Sequence, residues 1–165
     1  MKHSEDDYSC TQDAVQYFMS RAGQLNTTGF GDFDDEMRVT RRNMLMGEKG
    51  EITELLTADI MNDLPEFVDG LIDSIWVLWG TLLKTVGPEA AEDIAREIAR
   101  ANLSKVDDTF GPILWEGEPY ESKILKPEGW EPPQIQMILE DHGWEIGENG
   151  RVKKEPPNHA GITRK

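Results

Sequence analysis

Through the first hundred residues the apolar positions recur every three or four residues, and no stretch of useful length alternates apolar with polar; this predicts a helical core. Thr11 can cap a first helix in which Val15, Phe18 and Met19 fall on one side before Gly23 stops it. Residues 26–33 carry two glycines and read as a loop. A second helix is expected to open at Asp34 or Asp35 and run unbroken to about Met61, because Met37, Met44, Leu45, Ile52 and Leu55 keep roughly helical spacing. Asp63, Pro65 and Glu66 form the start signal of a third: an Asp cap, a first-turn proline, and Glu three residues after the cap. This segment is apolar nearly all round from Phe67 to Leu83, so it is predicted to be the most buried element. Gly87 and Pro88 end it, and Pro88 opens a fourth helix through Ala90, Ile94, Ile98 and Leu103 that fades near Val106.

After Asp108 the text becomes rich in Pro and Gly, with room for a short hairpin around Ile113 to Leu125 and a short helix near Gln134 to Leu139. From Gly147 onward the chain is polar and locally basic and is expected to be disordered. The predicted organisation is a flexible N-terminus over 1–10, one all-α helical-bundle domain over 11–146, and a tail over 147–165. A chain of 165 residues can bury a real core in such a domain.

Charge narrows the partners. With 17 basic and 32 acidic residues the net charge is −15, which repels nucleic-acid backbones and anionic membranes alike. A polyanionic substrate must therefore arrive with metal. Cys10 is the only cysteine, no apolar run is long enough to span a bilayer, and the first residues lack the apolar segment of a signal peptide. A reducing cytoplasm is the expected setting.

Two carboxylate groups carry the candidate chemistry: Glu51 and Glu54, then Glu66, Asp69 and Asp73. Residues three, four and seven apart share a helix face, so each segment presents a line of acid. Asp73 stands among Leu71, Ile72, Ile75, Trp76, Leu78 and Trp79, where an uncompensated carboxylate would be expelled or neutralised. Two acidic helix faces turned toward each other would make a site for Mg²⁺ or Mn²⁺, which prefer carboxylate oxygens. Glu48 and Glu51 offer a competing register for the first pair. His3, His142 and His159 lie outside the acidic helices, which argues against a ferritin-like di-iron site. Trp76 and Trp79 are expected to fill a core or an interface, and Arg41 and Arg42 to be surface ion-pair partners of nearby acids.

The order AVQYFMSRAGQ, RRNMLMGEKGEITELLTA, EFVDGLIDSIWVLWGT, ANLSKVD and KILKPEGWEPP resembles the MazG-like, phosphoribosyl-ATP-pyrophosphohydrolase-like all-α NTP pyrophosphatases, most of all the short phage and bacterial members. The likeness spans about residues 13 to 138, and the signature of that family is two acidic pairs on neighbouring helices. Where the family often has a double acid at the start of the first pair, Gly50 precedes Glu51 here. The resemblance implies Mg²⁺-dependent hydrolysis of a nucleoside triphosphate between the α and β phosphates. It implies metal ligands among Glu51, Glu54, Glu66, Asp69 and Asp73, with Glu51 or Glu54 as proton acceptor. It also implies substrate contacts from Asn102, Lys105 and Lys123, a homodimer or homotetramer, and a purine deoxynucleotide such as dGTP or dATP. Phosphoribosyl-ATP pyrophosphohydrolysis and a catalytically silent nucleotide sensor are the alternatives. No P-loop sequence is present, so metals and a few basic side chains would have to hold the phosphates.

Overall fold

The computed structural model describes residues 11–25, 35–106, 113–117 and 123–156; the expected flexible N-terminus, the 26–33 loop and the last nine residues lie outside them. Among the described residues the chain forms six helices and two small antiparallel hairpins, so the class is all-α. The helices are α1 (Thr11–Arg21), α2 (Asp35–Met46), α3 (Glu51–Met61), α4 (Leu64–Val86), α5 (Pro88–Leu103) and α6 (Ile135–Asp141).

The expected single helix from residue 35 to Met61 is two. Between α2 and α3 the chain turns at Gly47 and Gly50, where the Gly50 N–H donates to Gly47 O at 3.0 Å and Thr53 Oγ1 donates to the same carbonyl at 2.8 Å. Side chains are excluded there: a Cβ on Gly47 would stand 2.6 Å from Asn43 O, and one on Gly50 would stand 2.7 Å from Leu45 O. Glu51 is therefore the first residue of a helix rather than the middle of one.

Helix α4 starts as its sequence prescribes. The Asp63 side chain accepts from the Glu66 N–H at 3.4 Å, Pro65 occupies the first turn, and Gly87, at φ +84°, closes the C-terminus with its N–H on Leu83 O. Four helices, α1, α2, α3 and α5, pack on α4. α3 approaches at Gly70, where a Cβ would lie 3.2 Å from the Leu55 backbone. α1 brings Val15 and Met19 against Gly80, and α5 returns after the Gly87 turn. The core gathers at that turn from Val15, Met19, Leu83, Val86, Ala90, Ala91, Ile94 and Trp144. Full burial of a side chain such as Leu83 stabilises by about 1.5–3 kcal/mol.

α4 is not the sheltered element its composition predicts. Leu64, Val68, Leu71, Ile72, Ile75 and Leu78 remain 40 to 68 % exposed. At about 100° per residue these six form one stripe, and the buried Gly70, Ser74, Val77 and Gly80 lie on other sides of the helix.

The C-terminal region follows its reading up to Asp141 and then departs from it. β1 (Trp115–Glu116) pairs antiparallel with β2 (Lys123–Ile124). α6 is tied to α5 by His142 Nε2 and Asp93 Oδ2 at 2.9 Å and by the Gln134 N–H on Glu97 Oε1 at 2.9 Å. Residues 147–156, expected to be a disordered tail, instead continue the fold: β3 (Glu145–Ile146) pairs with β4 (Val152–Lys154), and Ile146 and Val152 pack on the core beside the buried Trp144. None of the described helices is long and apolar enough to cross a membrane.

Candidate acidic site on α3 and α4

The turn at Gly50 aims the first turn of α3 at α4. Glu51 and Glu54 stand in that turn, and Asp69 and Asp73 lie one turn apart on the facing helix. Burial pushes the Glu51 carboxyl above the usual carboxylate range, and the charges of Asp73, Glu54 and Asp69 push it further in the same direction. These four acids therefore share one electrostatic neighbourhood. Glu66 sits one turn before Asp69 on the same side of α4, is exposed, and is not among the charges acting on Glu51. Glu48 precedes the Gly50 turn and is likewise not among them.

Asp73 is exposed, not embedded in apolar side chains. Its neighbours Leu71, Ile75 and Leu78 belong to the stripe on the other side of the helix, which corrects the expectation of a carboxylate held in the core. Among the described residues, no group of three or more Asp, Glu, His or Cys side chains converges closely enough to hold a metal ion. As a donor set, hard oxygens from two rigid helices fit Mg²⁺ or Mn²⁺.

The candidate substrate residues form a second place. At the end of α5, Lys105 Nζ donates to Asn102 Oδ1 at 2.7 Å. Lys105 Nζ also lies 5.0 Å from the centre of the Trp130 ring, and Lys126 Nζ lies 4.6 Å from it. The indole is fixed by its own N–H, which donates to Ala101 O at 2.7 Å. Lys123, exposed on β2 opposite Glu116, makes no polar contact with this group among the described residues. Neither Lys105 nor Lys126 forms an ion pair with a described carboxylate, and no hydrogen bond joins them to the α3–α4 acids.

The sequence reading missed two features. Trp130 and Lys126 gather with Lys105, which no spacing along the chain announces. Arg41 is not a surface ion-pair partner: its guanidinium lies half-buried beside Gly80 of α4, with no ion pair or hydrogen bond among the described residues. Ser74 Oγ and Trp79 Nε1 are also buried without a hydrogen-bond partner among them. A scan against protein-family models finds no match to this chain, and a search of curated proteins finds none.

Proposed function

We propose that the chain is a MazG-like nucleoside triphosphate pyrophosphohydrolase that acts as a homo-oligomer and releases pyrophosphate and a nucleoside monophosphate. The observation that carries this reading is the raised carboxyl of Glu51 within the charges of Glu54, Asp69 and Asp73 on two packed helices. Glu51, Glu54, Asp69 and Asp73 would hold Mg²⁺, with Glu66 one turn further out on α4. The cation would neutralise phosphate oxygens and lower the pKa of a water beside them. Glu51 or Glu54, whichever is not fully used as a ligand, would accept the proton from that water. In the reaction, water adds to phosphorus, the α–β anhydride bond breaks, pyrophosphate leaves, and the proton from water goes to that carboxylate. Asn102 and Lys105, with Lys126 drawn to the same indole, supply the positive and amide groups for phosphate, and Lys123 stands on the neighbouring strand.

A catalytically silent nucleotide-binding protein is favoured by one observation, that no three ligands converge among the described residues. One assay separates the two. Purified protein with Mg²⁺ and each common NTP and dNTP should release pyrophosphate and monophosphate in equal amounts. Asp73→Asn and Glu54→Gln should each abolish release while the circular dichroism spectrum stays helical, since each removes a ligand charge and almost no volume. Binding of nucleotide without release by the wild type would establish the silent protein instead.

A further inference from the structure

The turn between β3 and β4 holds a chemistry unrelated to the acidic helices. Gly147, Glu148, Asn149 and Gly150 close that hairpin: the Gly150 N–H donates to Gly147 O at 2.8 Å, and the Gly147 N–H donates to Arg151 O at 2.8 Å. Gly150 takes φ +74°, which suits a residue without a side chain. Asn149 and Gly150 are both exposed, and a Cβ on Gly150 would meet nothing within 4 Å, so the peptide between them is uncrowded.

The Asn149 side chain is folded back over that peptide. Its Oδ1 accepts from the Arg151 N–H, two residues on, at 3.1 Å. This brings Cγ alongside the Gly150 nitrogen that lies between, and the hydrogen bond draws electrons from the side-chain carbonyl, which makes Cγ a better electrophile. Lys153 stands at the same spot: a Cβ on Gly147 would be 3.0 Å from Lys153 Cε and 3.4 Å from Asn149 Oδ1. Lys154 is ion-paired with Glu145, whereas Lys153 has no ion pair among the described residues. An unpaired cation therefore lies near the oxygen on which charge would develop if Cγ were attacked.

We propose that Asn149 is a self-modification site, at which the chain converts asparagine to aspartate and isoaspartate through a succinimide with water as the co-reactant. Hydroxide takes the Gly150 amide proton, and the nitrogen bonds to Asn149 Cγ while charge passes to Oδ1 beside Lys153. The Cγ–Nδ2 bond then breaks, and Nδ2 leaves as ammonia after taking a proton from water. Water opens the ring. Attack at Cγ gives aspartate; attack at the main-chain carbonyl carbon of Asn149 gives isoaspartate, with the main chain now routed through Cγ. No group is oxidised or reduced.

The step requires the Gly150 N–H to leave Gly147 O. Strands of two and three residues, an irregular register at Glu145 and Ile146, and an exposed turn put this hairpin among the segments that open most readily. A glycine also follows Asp69, but inside α4 and buried against Leu55, where the peptide cannot turn without breaking the helix. Isoaspartate adds a carbon to the main chain of the turn that holds Ile146 and Val152 on the core beside Trp144, so it loosens the hairpin.

The test incubates the full chain in mildly alkaline buffer and follows it by mass-spectrometric peptide mapping and by methyl labelling with a protein isoaspartyl methyltransferase. Asn149 should convert ahead of Asn43, Asn62 and Asn102, at a rate that rises with hydroxide, to a mixture of aspartate and isoaspartate. Lys153→Met should slow the conversion by roughly two- to fivefold, the scale of an exposed charge pair. Asn149→Gln, which would have to close a larger ring, should remove the label from this turn. Aged wild type should exchange the amide hydrogens of residues 145–154 faster than fresh protein. An Asn149 that stays intact in folded protein while the urea-unfolded chain converts would mean that the turn protects it and would overturn the proposal. Isoaspartate forming at Asp69 of the folded chain as fast as at Asn149 would overturn it too, and an unchanged rate in Lys153→Met would overturn the part given to the cation.

Discussion

Glu51 and Glu97 are two carboxyls of one fold displaced in opposite directions. Glu97, hydrogen-bonded by Arg100 and by the Gln134 N–H, has its pKa lowered to about 2, so it stabilises the fold at ordinary pH and that contribution is lost only as pH falls toward that value. Glu51 is raised, by burial first and then by Asp73, Glu54 and Asp69. The folded protein therefore holds the Glu51 proton more tightly than the unfolded chain does. Its favourable contribution is complete below the unfolded pKa and is lost as pH rises through the folded one. Metal-free protein should accordingly melt at a falling temperature as pH is raised through and above the ordinary carboxylate range, once the other carboxylates are accounted for with the Glu51→Gln variant. In Glu51→Gln that decline should flatten, and at neutral pH the variant should melt above wild type. Superimposable melting profiles for the two proteins would mean that Glu51 does not feel its neighbours.

At the scale of elements, the boundaries written in caps were legible and those written in packing were not. Asp63, Pro65, Gly87 and Pro88 announce both ends of α4 and the start of α5, because caps are local chemistry. The break between α2 and α3 hides because Leu45 and Ile52 are seven residues apart, so the apolar spacing keeps its helical phase while the chain turns between them. The β3–β4 hairpin hides because its strands are two and three residues long, too short for a period to register. In the acidic site, the spacing of Asp69 and Asp73 was enough to place them on one side of α4. The exposure of Asp73 and the isolation of Arg41 were not legible, since both depend on which sides of α4 the other helices cover. Two substitutions separate a turn that positions the site from a cap that only stabilises. Gly50→Ala forces a methyl to within 2.7 Å of Leu45 O and should cost about 1–3 kcal/mol in urea unfolding. It should lower pyrophosphate release as well, because Glu51 is the next residue. Asp63→Ala should cost about 1 kcal/mol and leave the proposed pyrophosphate release by the folded protein unchanged. Equal effects of the two on rate would remove the Gly50 turn from the site's architecture.

For the molecule as a whole, two surfaces of α4 make opposite demands. One side carries Asp69 and Asp73 and calls for cations; the other carries Leu64, Val68, Leu71, Ile72, Ile75 and Leu78 and calls for cover. A net charge of −15 opposes the approach of a second copy, but this apolar stripe is free of charged residues and is the part of the surface where self-association meets least repulsion. A contact between identical stripes is self-complementary, as a two-fold dimer requires. Sedimentation of wild type should therefore give a dimer or larger species whose melting temperature rises with protein concentration. Ile75→Asp places a carboxylate in the middle of the stripe and should yield a monomer without that concentration dependence. The acids lie across the helix from Ile75, so Mg²⁺ should still raise the melting temperature of the variant, by an amount corresponding to about 2.7 kcal/mol at a hundredfold excess over the dissociation constant. Matched NaCl should do less, because screening weakens repulsion without coordinating it. A monomeric wild type would leave the apolar stripe without the second copy proposed for it, and a monomeric variant deaf to Mg²⁺ would mean that the acidic side is completed only across the interface.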